Sequence, residues 1–109
     1  MLIFVIKYLP AEAMALFPFV LLKERNMKHN TELINHERIH HRQQIELLFI
    51  PFYLLYLIFY LVNLLRYQNH YTAYRHIPFE RESFKNQQNL DYLKKRPFWA
   101  WLAFITKAD

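Results

Sequence analysis

The sequence contains neither cysteine nor glycine. Without cysteine, disulfide frameworks, thiolate zinc sites and cysteine nucleophiles are all excluded. Without glycine, the phosphate-binding loops of P-loop and dinucleotide-binding proteins are excluded, because their backbone must approach the phosphate closely. Hairpin turns of the Asn-Gly type are missing as well. The absence of these glycine-dependent loops and turns favours helices over sheets.

The chain is short and basic. Its 109 residues predict a single domain over 1–109, with room for one core and one site. The formal net charge of +5 suits either an anionic membrane surface or nucleic acid. Since the basic residues are scattered among acidic ones, they indicate solvated faces, and we expect no nucleic-acid binding.

The N-terminal segment, residues 1–22, is apolar but interrupted by Lys7, Pro10, Glu12 and Pro18. A secretory signal would have a basic region ahead of a longer apolar core, so we expect no signal peptide and read the segment as part of the fold. The apolar stretch around Phe19 predicts a short strand or extended piece.

Residues 32–66 predict one long helix. Asn30 or Thr31 can cap its start, and only Pro51 interrupts it, which predicts a kink. Residues 47–65 carry no charge, which meets the requirement of about 18 apolar residues for a membrane span. A core helix or an apolar dimer interface would have the same composition. We expect membrane contact, and a membrane-associated or else cytoplasmic protein.

The first half of this helix carries an HExxH motif formed by His36, Glu37 and His40. Residues four apart lie on one helical face, so both imidazoles can reach one zinc ion at about 2.0–2.1 Å. Glu37 lies beside that face, where it can activate a metal-bound water rather than bind the metal. The alternative is that both histidines are ordinary core or capping residues.

A third ligand must be Glu, Asp or His, because the chain has no cysteine. Pro78 suits the first turn of a helix predicted over 78–95. On that helix Glu82 shares the apolar face with Phe79, so we predict Glu82 as the ligand. Glu80 falls on the other side and is expected to be solvated. Glu80 and His76 remain the alternatives.

Other polar residues could assist the site. Tyr74 and His76, with Tyr71, are candidates to donate a hydrogen bond to an oxyanion, for which Tyr and His are suitable types. Gln43 and Gln44 follow His40 by one turn and could orient the ligands or be polar interior groups.

The stretch from Asn35 to Glu46, followed by an apolar helix, is similar to gluzincin-type zinc metallopeptidases that act at membranes, such as the CAAX-type prenyl proteases and the BlaR/MecR-type antibiotic sensors. Together with Ala73-Tyr74-Arg75 and Phe79-Glu80-Arg81-Glu82, it resembles a family of short, uncharacterised bacterial HExxH metallopeptidases over about residues 16–95. The resemblance implies that His36, His40 and Glu82 are zinc ligands and that Glu37 is the base.

We therefore expect an all-α fold in which one long kinked helix carries HExxH and a second helix packs across its metal face. An apolar segment, residues 97–106, ends the domain. The expected function is a zinc-dependent metallohydrolase, a minimal peptidase at or near a membrane, which takes a peptide or protein substrate. The alternative is a non-catalytic, zinc-stapled helical protein that contacts a membrane or a partner. A homo-oligomer is left open.

Overall fold

The N-terminal segment forms a three-stranded sheet, so the all-α expectation is wrong. The computed structural model describes residues 2–105, and Met1 and Thr106 of the expected segments 1–22 and 97–106 lie outside the described residues. The strands are β1 (Leu2–Val5), β2 (Ala13–Leu16) and β3 (Phe19–Leu22). Their order is β1-β3-β2, with β1 parallel and β2 antiparallel to the central β3.

The strand expected near residue 19 is the central strand of this sheet. Val20 and Leu22 on β3 are fully buried, while the residues between and before them are only partly covered, which is the two-residue period of a half-buried strand. β1 and β2 have four residues each and depend on pairing with β3. Their sequence signal was weak for that reason, and the prolines and charges between them mark turns.

The expected long helix is two helices, α1 (Thr31–Glu46) and α2 (Ile50–Tyr67). Leu48 and Phe49 between them have left-handed backbone, with φ of 58° and 72°, and the chain changes direction there. The Phe49 amide donates to the Gln44 carbonyl at 2.8 Å and closes α1. Pro51 lies in the first turn of α2, where its missing N–H has no cost. The proline therefore starts a helix and does not kink one.

The remaining chain forms α3 (His70–Arg75), α4 (Pro78–Asn86), α5 (Tyr92–Lys95) and a 3-10 turn (Ala100–Phe104). The helix expected over 78–95 is thus α4 and α5 with a turn between them. α4 lies between α1 on one side and the C-terminal turn on the other, and its residues from Pro78 to Ser83 are all buried.

Hydrogen bonds to backbone hold α1 against α4. The Asn35 amide donates to the carbonyls of Asn86, Gln87 and Asn89, at 3.3, 2.9 and 3.0 Å, where α4 ends. The Ser83 hydroxyl donates to the His36 carbonyl at 3.2 Å. Because both contacts reach main-chain atoms, they fix the relative height of the two helices as well as their distance.

Arg96 ties the C-terminal segment to both helices. Its guanidinium donates to Glu46 at 2.6 and 2.9 Å, and to Glu82 on α4 through Nε and Nη2. The side chains of all three residues are at most 1% exposed. A buried charge network of this kind is stable only when every member is paired.

α2 leaves most of its surface uncovered. Phe52 and Asn63 are the only buried residues that the structure describes in this helix. Its length and composition would allow it to cross a membrane. We call the following exposed apolar residues the outer face of α2: Ile50, Leu54, Leu57, Ile58, Leu61, Val62 and Leu65. The opposite face packs through Phe52 and Phe59 on Phe79 of α4.

Replacing Arg96 by Ala should destabilise the protein by about 3–5 kcal/mol, because two carboxylates would stay buried without their partner. Urea denaturation followed by circular dichroism measures the loss. Lys94→Ala is the matched control, since the Lys94 side chain is 81% exposed and should change stability by less than about 0.5 kcal/mol. Equal stability of the two variants would contradict the proposed importance of the network.

Candidate metal centre

The HExxH residues face α4 from the middle of α1. The Asn30 side chain accepts from the Leu33 amide at 3.1 Å and caps the helix, which sets the position of the following turns. His36 and His40 then project from one face, with Nε2 atoms 3.0 and 3.1 Å from Oε1 of Glu80. All three side chains are buried, and together they could hold a metal ion.

Glu80, and not Glu82, completes this group, which corrects the expected third ligand. Glu82 is fully buried, but its carboxylate turns towards Arg96 and also accepts from Tyr92 at 2.7 Å and Gln43 at 2.9 Å. A carboxylate held by donors from Gln43, Tyr92 and Arg96 is not free to meet the imidazoles as well. His76, the other alternative, is exposed and hydrogen-bonds to the Thr72 carbonyl.

Glu82 would be the expected ligand if α4 had a single buried face. α4 is instead covered on both sides, so Glu80 is only 5% exposed although it was expected to be solvated. Apolar periodicity shows that both glutamates can be buried, but it cannot show which of the two carboxylates meets the imidazoles. The deciding partner, Arg96, is 14 residues beyond Glu82.

The spacing of the three ligand atoms fits a tetrahedral ion. Two atoms each about 2.05 Å from a tetrahedral zinc lie about 3.3 Å apart. The observed separations of 3.0 and 3.1 Å from the Glu80 oxygen are close to this value, and all three ligand atoms lie within 4.8 Å of one another. An ion between them requires only small side-chain adjustments.

The second nitrogen of each imidazole is already engaged. Nδ1 of His36 lies 2.8 Å from Oε1 of Gln87, and Nδ1 of His40 lies 2.8 Å from Oε1 of Gln43. An amide oxygen only accepts, so each Nδ1 carries its hydrogen. In a neutral ring, Nε2 then carries the free lone pair. This neutral tautomer is the form in which histidine binds a metal through Nε2.

Without a metal, an Nε2 that faces Glu80 needs a hydrogen to donate to it. Burial works against the charged His40 ring, but the Glu80 carboxylate outweighs this and raises the pKa of His40 to about 9. Burial likewise opposes ionisation of Glu80, yet His40 and His36 hold its pKa well below the ordinary value. A divalent ion bound by neutral rings could take the place of the protonated His40 ring beside Glu80.

Glu37 lies beside the group and is 6% exposed. It accepts no hydrogen bond from any residue between 2 and 105. Burial raises its pKa above the ordinary value, while the imidazoles of His40 and His36 act in the opposite direction. The side chain borders a cavity of about 960 Å³ that His36, His40 and Glu80 also line. A buried carboxylate beside a cavity, with no donor among the described residues, is available for a proton from a bound molecule.

Two tyrosines border the site, one of which the sequence did not single out. Tyr56 of α2 donates to Oε2 of Glu80 at 2.7 Å and leaves Oε1 to face the imidazoles. Tyr56 lies in the uncharged stretch 47–65, whose composition predicted a buried or membrane helix and gave no sign of a polar role for this residue. Tyr74, one of the predicted residues, also lines the cavity. Burial, with Glu80 and Glu37 nearby, raises its pKa, so its hydroxyl keeps its proton at neutral pH.

The other predicted residues are less well placed. His76 does not line the cavity and stacks on Tyr67, which removes it from the site. Tyr71 lies at the cavity wall but is 61% exposed. Gln43 supports His40, whereas Gln44 donates to Ala15 and accepts from Phe17 in the N-terminal sheet region.

No family model, curated protein or solved structure matches the chain. The resemblance to short HExxH metallopeptidases therefore stays a prediction. The site has to be interpreted from its own geometry.

Zinc binding tests the assignment of the three ligands. Purified without a His tag, the protein should hold about one zinc per chain, and His36→Ala/His40→Ala should hold none. Glu80→Gln should weaken affinity by more than about a hundredfold, the upper end for residues that only support ligands. Competition with a coloured chelator measures both effects.

Glu12→Gln is the control for this series, since Glu12 borders the same cavity but is exposed and outside the ligand group. It should bind zinc like the unaltered chain. Unchanged zinc affinity of Glu80→Gln would show that the third ligand is not Glu80.

Proposed function

We propose that the protein is a zinc-dependent hydrolase, a minimal peptidase, in which His36, His40 and Glu80 hold the metal and Glu37 is the general base. The observation that carries the proposal is the buried Glu37 carboxylate, which no described residue hydrogen-bonds and which borders the cavity next to the ligand atoms. A purely structural zinc site would have no use for it.

The number of ligands supports a catalytic site over a structural one. Structural zinc sites are closed by four protein ligands, whereas catalytic sites use three and leave one position open. Three buried ligands are grouped among the described residues, and an open cavity adjoins them. The choice of zinc rests on the HExxH spacing and on the two-imidazole, one-carboxylate set, which is the ligand set of known zinc peptidases.

The residues divide the chemistry among them. Zinc, when bound, supplies Lewis acidity and lowers the pKa of a coordinated water towards about 7. Glu37 accepts a proton from the attacking water and can return it to the leaving amine; burial raises the pKa of its carboxyl, which favours proton uptake. Tyr74, which keeps its proton, donates a hydrogen bond to the oxyanion that forms on the substrate carbonyl.

A peptide is the substrate class that the cavity wall favours. β2 pairs with β3 alone among the described strands, so it is an edge strand, and its residues line the same cavity as the ligand group. Because Lys23 donates to the Glu12 carbonyl, the alternation of an antiparallel ladder turns the backbone N–H and C=O of Ala13 away from β3. An extended peptide can pair with such an edge through its own main chain.

Glu37→Gln tests the mechanism. The variant should bind zinc with unchanged stoichiometry, because Glu37 is not in the ligand group, and should lose about 10²–10⁴-fold in hydrolysis rate. Cleavage of a quenched-fluorescent peptide library, screened by mass spectrometry for the cut bond, provides the assay. Glu24→Gln is the control here, since Glu24 is exposed and does not line the cavity, and it should keep its activity.

Two results would contradict the proposal. One is a Glu37→Gln variant that binds zinc and retains full activity. The other is zinc-loaded protein that cleaves nothing in the library and unfolds when zinc is removed, which would favour the zinc-stapled structural protein.

We further propose that the protein works against a membrane, through the outer face of α2. The exposed apolar residues of that face run along a helix of 18 residues, and isolated soluble domains rarely expose so continuous a patch. The net charge of +5 adds attraction to anionic lipid. A helix packed on the protein by one face and apolar on the other is suited to lie at the lipid interface.

Flotation with lipid vesicles tests this contact. The protein should float with vesicles that contain an anionic phospholipid, and Leu57→Glu/Leu61→Glu should stay in solution, since two charges would have to enter the apolar layer. Leu90→Glu is the control, because Leu90 is similarly exposed, at 56%, but lies outside α2. A protein that ignores vesicles and sediments as a dimer would assign the outer face to a second copy instead.

A further inference from the structure

A buried chain of polar side chains leads from Arg96 to the metal ligand His40. Arg96 contacts Glu82, Glu82 accepts from Nε2 of Gln43 at 2.9 Å, and Oε1 of Gln43 lies 2.8 Å from Nδ1 of His40. Gln43 and Glu82 are both 0% exposed. Water therefore cannot take the place of any of these contacts.

The orientation of the Gln43 amide follows from its partners. Its nitrogen faces the Phe79 carbonyl at 3.1 Å and the Glu82 carboxylate at 2.9 Å. Both partners only accept, so the nitrogen end of the amide must lie there and the oxygen end must face His40. A flipped amide would direct its oxygen at two other oxygens and its N–H₂ group at Nδ1.

Arg96 holds the Glu82 carboxylate in place as the acceptor for Gln43. The guanidinium donates to both Glu82 oxygens as well as to Glu46. A guanidinium has only donors, so the Glu82 oxygens must accept from it, and the same carboxylate accepts from Nε2 of Gln43. The interaction that removes Glu82 from the metal group is the same one that makes Glu82 a fixed acceptor.

We propose that Gln43, held by Glu82 and Arg96, is a positioning residue that keeps the hydrogen of His40 on Nδ1 and so presents Nε2 to the site. The inference rests on the proposed metal function for its purpose, but the location of the hydrogen can be measured by itself. His36 receives the corresponding contact from Gln87, 2.8 Å from its Nδ1. Gln87 is only partly buried, so the constraint on His40 is the tighter one.

Gln44 is a matched control for Gln43. The two glutamines are neighbours on α1, 0% and 1% exposed, and each makes side-chain hydrogen bonds to other elements. The side-chain hydrogen bonds of Gln44 go to Phe17 and Ala15 in the N-terminal sheet region, and among the described residues none goes to His36 or His40. A loss common to Gln43→Leu and Gln44→Leu is therefore structural, and a loss confined to Gln43→Leu is positional.

The experiment is nitrogen-15 NMR of the imidazoles, with and without zinc, in the full chain. In the unaltered protein the His40 Nδ1–H signal should be present and slow to exchange in both states. In Gln43→Leu it should be lost or broadened while that of His36 persists, and Gln44→Leu should keep both. Zinc affinity should fall about ten- to hundredfold in Gln43→Leu relative to Gln44→Leu.

Gln43→Glu separates positioning from packing. It retains an oxygen that accepts from Nδ1 but loses the donors to Phe79 and Glu82, so it should be less stable and yet keep the His40 Nδ1–H signal. It also provides the measurement if Gln43→Leu does not fold.

The inference is overturned if zinc is found on Nδ1 of His40, or if Gln43→Leu keeps the Nδ1–H signal and the zinc affinity of Gln44→Leu. If the unaltered protein binds no zinc, the proposed function fails. The contact of Gln43 with Nδ1 is then still tested by the exchange rate of the Nδ1–H signal in the metal-free protein, which Gln43→Leu should raise and Gln44→Leu should not.

Discussion

The contact between α1 and α4 is mainly polar, and the rest of the structure depends on keeping it satisfied. His36, His40 and Gln43 from α1 meet Glu80, Glu82 and Ser83 from α4, all with little or no exposed surface. Buried polar groups cost free energy unless each finds a partner. The chain meets this requirement through hydrogen bonds: glutamine amide oxygens accept from the imidazoles, a tyrosine donates to Glu80, and an arginine donates to Glu82. Among residues 2–105, the indole nitrogen of Trp101 is the only fully buried side-chain polar atom without a partner.

Two neighbouring glutamates on α4 have different roles because their surroundings differ. Glu80 faces two imidazoles and the cavity, and Glu82 is held by Arg96 and by Gln43 of α1. The arginine compensates the charges of Glu82 and Glu46, while the carboxylates of Glu80 and Glu37 act on His40. Glu80 could help to hold a metal, and Glu37 has no hydrogen-bond donor among the described residues. This separation of roles supports the proposed hydrolytic centre.

The apolar parts of the molecule support the site in two ways. Phe52 of α2 packs on Phe79 of α4, near the imidazole of His40, and fixes the distance of α2 from the ligands. The same helix brings the Tyr56 hydroxyl to Glu80. Its outer face remains uncovered, and the strand β2 lines the cavity. The proposed peptide substrate and the proposed lipid contact therefore involve two different elements, β2 and α2.

The sequence by itself determined what depends on contacts within one helix. The i, i+4 spacing places His36 and His40 on one face and Glu37 beside it wherever α1 packs, so the ligand pair and the candidate base could be predicted. The strand at Phe19 was predicted for a similar reason, since its apolar pattern is local. Tertiary structure alone decided what depends on distant partners. β1 and β2 exist because β3 pairs with them, and Glu80 rather than Glu82 groups with the two histidines because Arg96 engages Glu82. Periodicity reports that a side chain is buried, but the identity of its neighbour is set by how separate elements pack.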